Sequence, residues 1–444
     1  MLPPKSRSVA SSSGQAVPSG RIARFAGFSS MAGGIAGTML VDGAKQWAQG
    51  KRPSVGDLLL TPANARKIAD KLATMRGAAM KLGQLMSMDT GDFLPPELAD
   101  ILGRLRADAQ HMPQGQLRNV LNQNWGRGWE KRFKSFDFKP IAAASIGQVH
   151  RARTLDGRDL AIKVQYPGVR QSIDSDVDNV ASLIKLTGLL PPGIDIDPML
   201  ADAKAQLHEE ADYAHEAAHL ARFGELLAGS ADFHVPALHA DLTTPDILAM
   251  DYIESIAIED TADMDGEVRD RIVRLAVELL LRELFDFRLM QTDPNFANYR
   301  FDPATGRLVL LDFGATRVVT DRVSDSYRTL LRGGLGRDLA QMREGGLALG
   351  MLHPDAPENH KVAVLGMFDT AFEPLRLDAP FDFTSNEMTM ELRDEGMAFA
   401  KERTFWQIPP VDTLFIQRKI GGVFLLGSRL KANLNVHRLI RDAL

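Results

Sequence analysis

The chain has 444 residues, with 52 Lys+Arg against 57 Asp+Glu and a formal net charge of −5. Its 45% hydrophobic and 25% charged residues are the balance of a folded protein, which excludes disorder throughout, and the acid excess argues against a dedicated nucleic-acid binder. Cysteine is absent, so disulfides and thiolate metal sites are excluded and a reducing compartment fits.

The charge is uneven along the chain. Residues 1–52 carry seven basic side chains and one acid, Asp42, so a leader of +6 precedes a body of −11. With Arg and Ser abundant and Pro3, Pro4 and Pro18 present, this leader is expected to be disordered, in the manner of an organellar transit peptide or a bacterial tail. Residues 25–41 form a seventeen-residue uncharged stretch containing Gly33-x-x-x-Gly37. Two readings stay open for it: a Gly-rich linker, or a membrane-dipping helix whose small residues permit close pairing. The flanking Arg21, Arg24, Lys45, Lys51 and Arg52 favour an anionic membrane surface. No other segment is apolar enough to span a bilayer.

Thr61-Pro62 marks a helix start. Leu72, Met75, Ala79, Leu82 and Met86 then recur at helical spacing. Lys81 and Gln84, with Gly83 between them, are neighbours on an adjacent face. A mid-helix Gly costs ~1 kcal/mol relative to Ala, so the spacing predicts a surface that something approaches closely.

Gln148 to Arg153 and Asp159 to Gln165 read as strands joined by an Asp156-Gly157 turn. The second strand holds Lys163 among apolar residues, and an ammonium there needs an opposite charge or a phosphate. The small residues Ala142, Ala143, Ala144 and Ser145 precede the first strand and would let backbone N–H groups approach phosphates. Met199 to Gly229 reads as one helix with Ala203, Leu207, Ala211, Ala214 and Ala218 on its apolar face. Glu210 falls on or beside that face and is the expected partner of Lys163. Glu209, Asp212 and Glu216 fall on another face, where solvation is the plain expectation.

Asp293 and Asn298 stand five residues apart, and Leu308 to Leu311 lead into Asp312-Phe313-Gly314. A strand Lys, an Asp with Asn five residues later, and a strand-terminal Asp-Phe-Gly make up the protein-kinase set in its order. In that set Lys163 orients phosphates, Asn298 and Asp312 hold Mg²⁺, and Asp293 orients or deprotonates the attacking oxygen. A different chemistry is offered by His215-Glu216-Ala217-Ala218-His219, which matches the H-E-x-x-H of zinc peptidases, although Arg222 stands three residues after His219 and Glu225, six after it, is too close for the usual downstream helix.

Departures from the kinase set are as informative as the matches. Alanines replace the glycine loop, Gln291-Thr292 precedes Asp293, and no Ala-Pro-Glu follows Asp312. Together with KLGQ at 81–84, AAASIGQVH at 142–150, AIKVQYPGV at 161–169, EEADYAHEA at 209–217, QTDPNFAN at 291–298 and the RKIGG of 418–422, these features resemble the UbiB family of atypical kinases that support coenzyme Q biosynthesis. The resemblance runs over roughly residues 55–435 and is nearest to the mitochondrial-type branch. It implies an α+β, two-lobed protein-kinase-like fold with an N-terminal helical KxGQ extension. Lys81, Gly83 and Gln84 would be regulatory, Lys81 and Gln84 meeting Glu210 and Asp212 and blocking a protein-substrate groove. The alanine loop would alter nucleotide preference, and the hinge backbone at Met250, Tyr252 and Ile253 would receive adenine.

The implied organisation is a leader over 1–55, a KxGQ extension over 56–135, an N-lobe with inserted helices over 136–255 and a C-lobe over 256–444. The implied cofactors are ATP or ADP and Mg²⁺, with a membrane lipid surface and coenzyme Q intermediates or a ubiquinone-biosynthesis complex as partners. Expected placement is the cytoplasmic side of a bacterial membrane or the mitochondrial inner membrane and matrix. A small-molecule or lipid phosphotransferase and a nucleotide-sensing scaffold are the alternatives within this class.

Overall fold

The computed structural model describes residues 111–144, 146–187, 197–384 and 410–444. The segment 25–41, the Lys81-Leu82-Gly83-Gln84 ridge and Ser145 lie outside the described residues. Two compact units divide the chain: one holds the residues up to Ala217 together with Leu238–Tyr252, the other Ala218–Ala237 and Ile253–Leu444.

Helix α1 (Gln114–Trp125) leads into strands β1 (Phe133–Phe136), β2 (Ala142–Ala143), β3 (Gly147–Thr154) and β4 (Asp159–Gln165). Helices α2 (Val169–Thr187), α3 (Asp197–Glu210) and α4 (Tyr213–Leu226) follow, then β5 (Phe233–His234) and β6 (Ile247–Asp251). In the first unit the antiparallel sheet runs β1–β3–β4–β6, and β2 also pairs with β3. The β3–β4 hairpin closes where expected: Thr154 N–H donates to Arg158 O at 3.0 Å, and Gly157 takes φ +96°, which a side chain would resist. Leu160, Ile162 and Val164 are fully buried on one face of β4. Alternation places Lys163 on the other face.

An aromatic cluster seats α1 on this sheet. Trp125, Trp129, Phe133 and Phe136 contact one another with ring centroids 5.0–5.9 Å apart. Buried side chains of this size contribute ~1.5–3 kcal/mol each. Beside them Gln148 and His150, both fully buried, join in a chain of hydrogen bonds. Gln148 Oε1 accepts Met112 N–H at 2.7 Å, Gln148 Nε2 meets His150 Nε2 at 2.8 Å, and His150 Nδ1 reaches Asp137 O at 2.8 Å. With the glutamine amide donating, His150 is neutral and carries its proton on Nδ1. The GQVH stretch therefore ties residue 112 to the sheet.

One expectation needs correction here. The helix read as continuous from Met199 to Gly229 is interrupted at Ala211–Asp212. The Ala211 carbonyl is drawn off by Gln165 Nε2 at 2.8 Å and Arg170 Nε at 2.7 Å, which satisfy a carbonyl at the helix end. Asp212 Oδ1 then accepts Ala214 N–H at 3.1 Å and His215 N–H at 3.2 Å, the arrangement of an N-cap. The interruption resets the helical phase for everything after it.

The second unit contains β7 (Ile256–Ala257), α5 (Gly266–Arg282), β8 (Leu289–Gln291), β9 (Tyr299–Asp302), β10 (Arg307–Leu310) and β11 (Thr316–Val318). After these come α6 (Asp321–Gly336), α7 (Leu339–Ala348), α8 (Glu358–Phe372), β12 (Phe381–Asp382), α9 (Val411–Leu430), β13 (Asn433–Leu434) and α10 (Val436–Ala443). Its main sheet has the order β5–β10–β9–β7, and β8 pairs antiparallel with β11. Helix α5 is the centre of the core, with Ile272, Val273, Leu275, Ala276 and Leu279 buried. It continues into one π turn, Glu283–Phe287, a widening of the kind that re-aims side chains near functional sites. Among the described residues no helix is long and apolar enough to cross a membrane.

Candidate active site

In the first unit the site is built around Lys163. Lys163 is 7% exposed, and its ammonium donates to both oxygens of Glu216, at 2.7 and 2.8 Å. Glu216 is 1% exposed, one turn into α4. The carboxylate that grips Lys163 is thus Glu216, not the Glu210 expected from periodicity. Glu210 ends α3, half-buried, ahead of the interruption. In an uninterrupted helix six residues would carry position 216 about 240° around the axis from 210. The reset at Asp212 turns it inward instead. Asp212 itself is half-exposed and caps α4, with Arg170 NH2 at 3.5 Å. The Tyr213 ring lies 5.2 Å from the Lys163 ammonium and completes the wall of this pocket.

Above the lysine, Ala142 and Ala143 are exposed and pair with Val149 and Gln148, and Ala144 N–H donates to Gly147 O at 2.9 Å. Gly147 is a position where only glycine fits: a Cβ would lie 2.4 Å from Val164 O and 2.9 Å from the Tyr213 hydroxyl. Met250 is buried in β6, and Tyr252 N–H donates to Asp159 O at 2.9 Å while its ring carries the Arg151 guanidinium at 3.8 Å. The boundary between the units falls between Tyr252 and Ile253, within the segment read as the hinge.

The second unit brings Asp293, Asn298 and Asp312 onto one framework. Thr292 donates through N–H at 2.9 Å and Oγ1 at 2.7 Å to Ala315 O, tying the loop before Asp293 to the chain after Asp-Phe-Gly. Asn298 Nδ2 donates to Asp293 O at 3.3 Å, and Leu311 N–H to Asn298 O at 3.0 Å. Gly314 N–H donates to Asp312 Oδ1 at 3.0 Å. Phe313 is 1% exposed and packs on Phe223 with centroids 4.7 Å apart, which anchors the triplet against α4.

The donor set suits a hard divalent cation. Asn298 directs its amide nitrogen to a backbone carbonyl, which leaves Oδ1 the atom able to face a cation, and Asp312 carries a carboxylate. Oxygen donors of this kind favour Mg²⁺ over softer metals. The H-E-x-x-H reading finds no such support, because its Glu216 holds Lys163 through both oxygens and His215 is exposed.

Beneath the Asp293 loop lies a cluster that joins Lys419 of the RKIGG stretch and Gln291 to two residues the pattern did not single out, Glu283 and Tyr299. Lys419, Glu283, Tyr299 and Gln291 are all buried together. Full burial pushes Glu283 up to about 7, with Lys419 pulling the other way. Burial opposes the Lys419 charge as well, yet Glu283 and Tyr299 hold it above its ordinary value. Both ions carried a signal that could have exposed them. Glu283 stands between the apolar stretches Leu279-Leu280-Leu281 and Leu284-Phe285, and Lys419 stands inside a helix rich in Phe, Ile and Leu.

A strand lysine gripped by a helix glutamate, an Asp–Asn pair at five-residue spacing and a strand-terminal Asp-Phe-Gly on this α+β scaffold define a protein-kinase-like molecule of atypical type. The comparisons agree. The model for the ABC1 atypical kinase-like domain matches residues 104–345. Atypical kinase COQ8, mitochondrial, from Saccharomyces cerevisiae is 36% identical over 428 residues, covering 96% of this chain and 85% of that protein. Atypical kinase COQ8B, mitochondrial, from Danio rerio is 35% identical over 433 residues, covering 96% of this chain and 69% of its own length. Among solved structures, the complex of Rv3197 with erythromycin from Mycobacterium tuberculosis shares the fold, with a TM-score of 0.58 at 24% identity over 86% of this chain and 96% of that one. The chain belongs to the ABC1 family of UbiB-type atypical kinases.

Proposed function

We propose that the protein is an adenine-nucleotide-dependent atypical kinase or ATPase that uses Mg²⁺ and supports ubiquinone biosynthesis at a membrane. The observation that carries this reading is the buried Lys163–Glu216 pair, with 2.7 and 2.8 Å contacts, on a strand where Lys163 stands between the apolar Ile162 and Val164. In kinases a lysine so held is ready to contact phosphate oxygens, and the pair must be in place for turnover. Glu216 fixes the ammonium in direction, and the small residues Ala142, Ala143 and Ala144 let a phosphate approach the backbone there. The hinge peptide groups at Met250 to Ile253 receive the adenine. Asn298 and Asp312 hold Mg²⁺, which when bound neutralises phosphate charge. Asp293 orients the attacking water or hydroxyl, and its Oδ1 is itself steadied by Asn295 N–H at 3.3 Å.

The mitochondrial relatives support a mitochondrial placement, and their names support the coenzyme Q assignment. Lys81, Gly83 and Gln84 are proposed to regulate this chemistry through Glu210 and Asp212. Nucleotide binding tests the reading. Mg-ATP and Mg-ADP should raise the melting temperature of the wild type and leave Lys163→Met unmoved. Equal shifts in both proteins would refute the assignment of Lys163. Phosphate release without an acceptor marks an ATPase, and release that requires a small-molecule or lipid acceptor marks a phosphotransferase.

A further inference from the structure

Helix α9 places a charge where packing alone has no use for one. Lys419 is 1% exposed. Its Nζ donates to the Gln291 carbonyl at 2.8 Å, to Gln291 Oε1 at 3.0 Å and to the Tyr299 hydroxyl. Glu283, fully buried, faces it through Oε2 at 3.5 Å and accepts Gln291 N–H through Oε1 at 3.3 Å. A buried ion pair is a poor device for stability, since well-packed apolar residues of similar volume commonly do as well or better. What this pair supplies is direction.

The groups it holds bracket the proposed catalytic loop. Gln291 stands two residues before Asp293, and its peptide is gripped on both sides, N–H by Glu283 and C=O by Lys419. Tyr299 stands one residue after Asn298. A single ammonium therefore reaches both ends of the segment that carries the proposed base and one proposed Mg²⁺ ligand. A second contact lies three residues along the same face of α9. A Cβ at Gly422 would lie 2.6 Å from Pro294 Cβ and 3.3 Å from Pro294 O, so the helix backbone presses directly on the residue after Asp293.

We infer that Lys419, with Glu283 and Gly422, is a brace that sets the position of Asp293 and Asn298 through Gln291, Tyr299 and Pro294. Lys419 is a positioning residue in this account and touches no nucleotide. Its kinetic consequence rests on the phosphoryl-transfer reading above, whereas its effect on the loop does not. Misplacing a reacting group by ~1 Å can cost about 100-fold in rate. Lys419→Met keeps the length of the side chain and removes the donor. Should that variant fail to fold around an uncompensated Glu283, the double variant Lys419→Met/Glu283→Gln removes both charges together.

The test uses the full chain, with amide hydrogen exchange across residues 289–299, nucleotide affinity, and kcat and KM for Mg-ATP. The expected result is exchange at least about tenfold faster in 289–299 with the β3–β4 hairpin unchanged, kcat lower by about 100-fold, and nucleotide affinity within about threefold of wild type. Tyr299→Phe, which removes one acceptor, should lie between. A folded double variant with unchanged exchange in 289–299 and kcat within twofold of wild type would overturn the brace. If the wild type itself shows no turnover, the phosphoryl-transfer reading falls, and the exchange measurement still decides whether Lys419 holds the loop.

Discussion

Removing the Glu216 carboxylate leaves the Lys163 ammonium in a pocket where the lysine side chain is 9% and the glutamate side chain 1% exposed. Water cannot replace both lost contacts there. Breaking a buried pair of this kind from one side costs ~3–5 kcal/mol, because a buried charge loses its two-pronged partner. Glu216→Leu and Lys163→Met should each lose stability of that order. The double variant Lys163→Met/Glu216→Leu removes both charges together and should lose less than the sum, by a coupling of about 2 kcal/mol in the cycle. Urea unfolding of the four proteins reads this directly, with Trp125 and Trp129 as reporters in the same unit. The double variant should fold and yet fail to turn over nucleotide, which separates the structural from the chemical role of the pair. Single variants within ~1 kcal/mol of wild type, or a coupling of zero, would refute the reasoning.

Two further outcomes follow from buried groups and a third from the His215–His219 stretch. Glu283 is held near 7, above its ordinary 4.5, so the native state keeps a proton that the unfolded chain releases between those values. Wild-type stability should therefore fall relative to Glu283→Gln as pH rises from 4.5 to 7, by on the order of 3 kcal/mol, and parallel profiles would contradict this. His150 is held below its ordinary 6.5, chiefly by burial, so its contribution to stability is present above pH 6.5 and is lost as pH falls through the native value. An NMR titration of His150 should give a midpoint below 6.5, and a midpoint at or above it would count against the neutral network with Gln148. Protein prepared without chelator should carry no stoichiometric zinc, and His215→Ala should leave nucleotide turnover unchanged. Stoichiometric zinc lost in His219→Ala would reinstate the peptidase reading.

The parts of the site that were legible in the residues are those set by local chemistry. Alternation and Asp156-Gly157 located the β3–β4 hairpin, and a lysine in an apolar strand was conspicuous without any partner in view. The five-residue interval from Asp293 to Asn298 and the strand before Asp312 were visible as spacing. What stayed hidden depends on contacts distant in sequence. Helical periodicity runs smoothly through Ala211, so the interruption there was not apparent. It arises because Gln165 and Arg170 take the Ala211 carbonyl, and neither belongs to the helix. The Asp212 N-cap was the one local clue. The choice between Glu210 and Glu216 followed from that interruption alone. Lys419 and Glu283 lie 136 residues apart and become a pair only when α9 packs beneath β8 and β9.

Every catalytic role proposed for these residues depends on nucleotide turnover. Purified protein should release phosphate from Mg-ATP in a Mg²⁺-dependent manner, measured with and without anionic liposomes. Asp312→Asn keeps the acceptor for Gly314 N–H but lowers the charge offered to the metal, so it should bind nucleotide and lose turnover by about 100-fold or more. A wild type that neither binds nor hydrolyses nucleotide, or an Asp312→Asn variant as active as wild type, would contradict these roles.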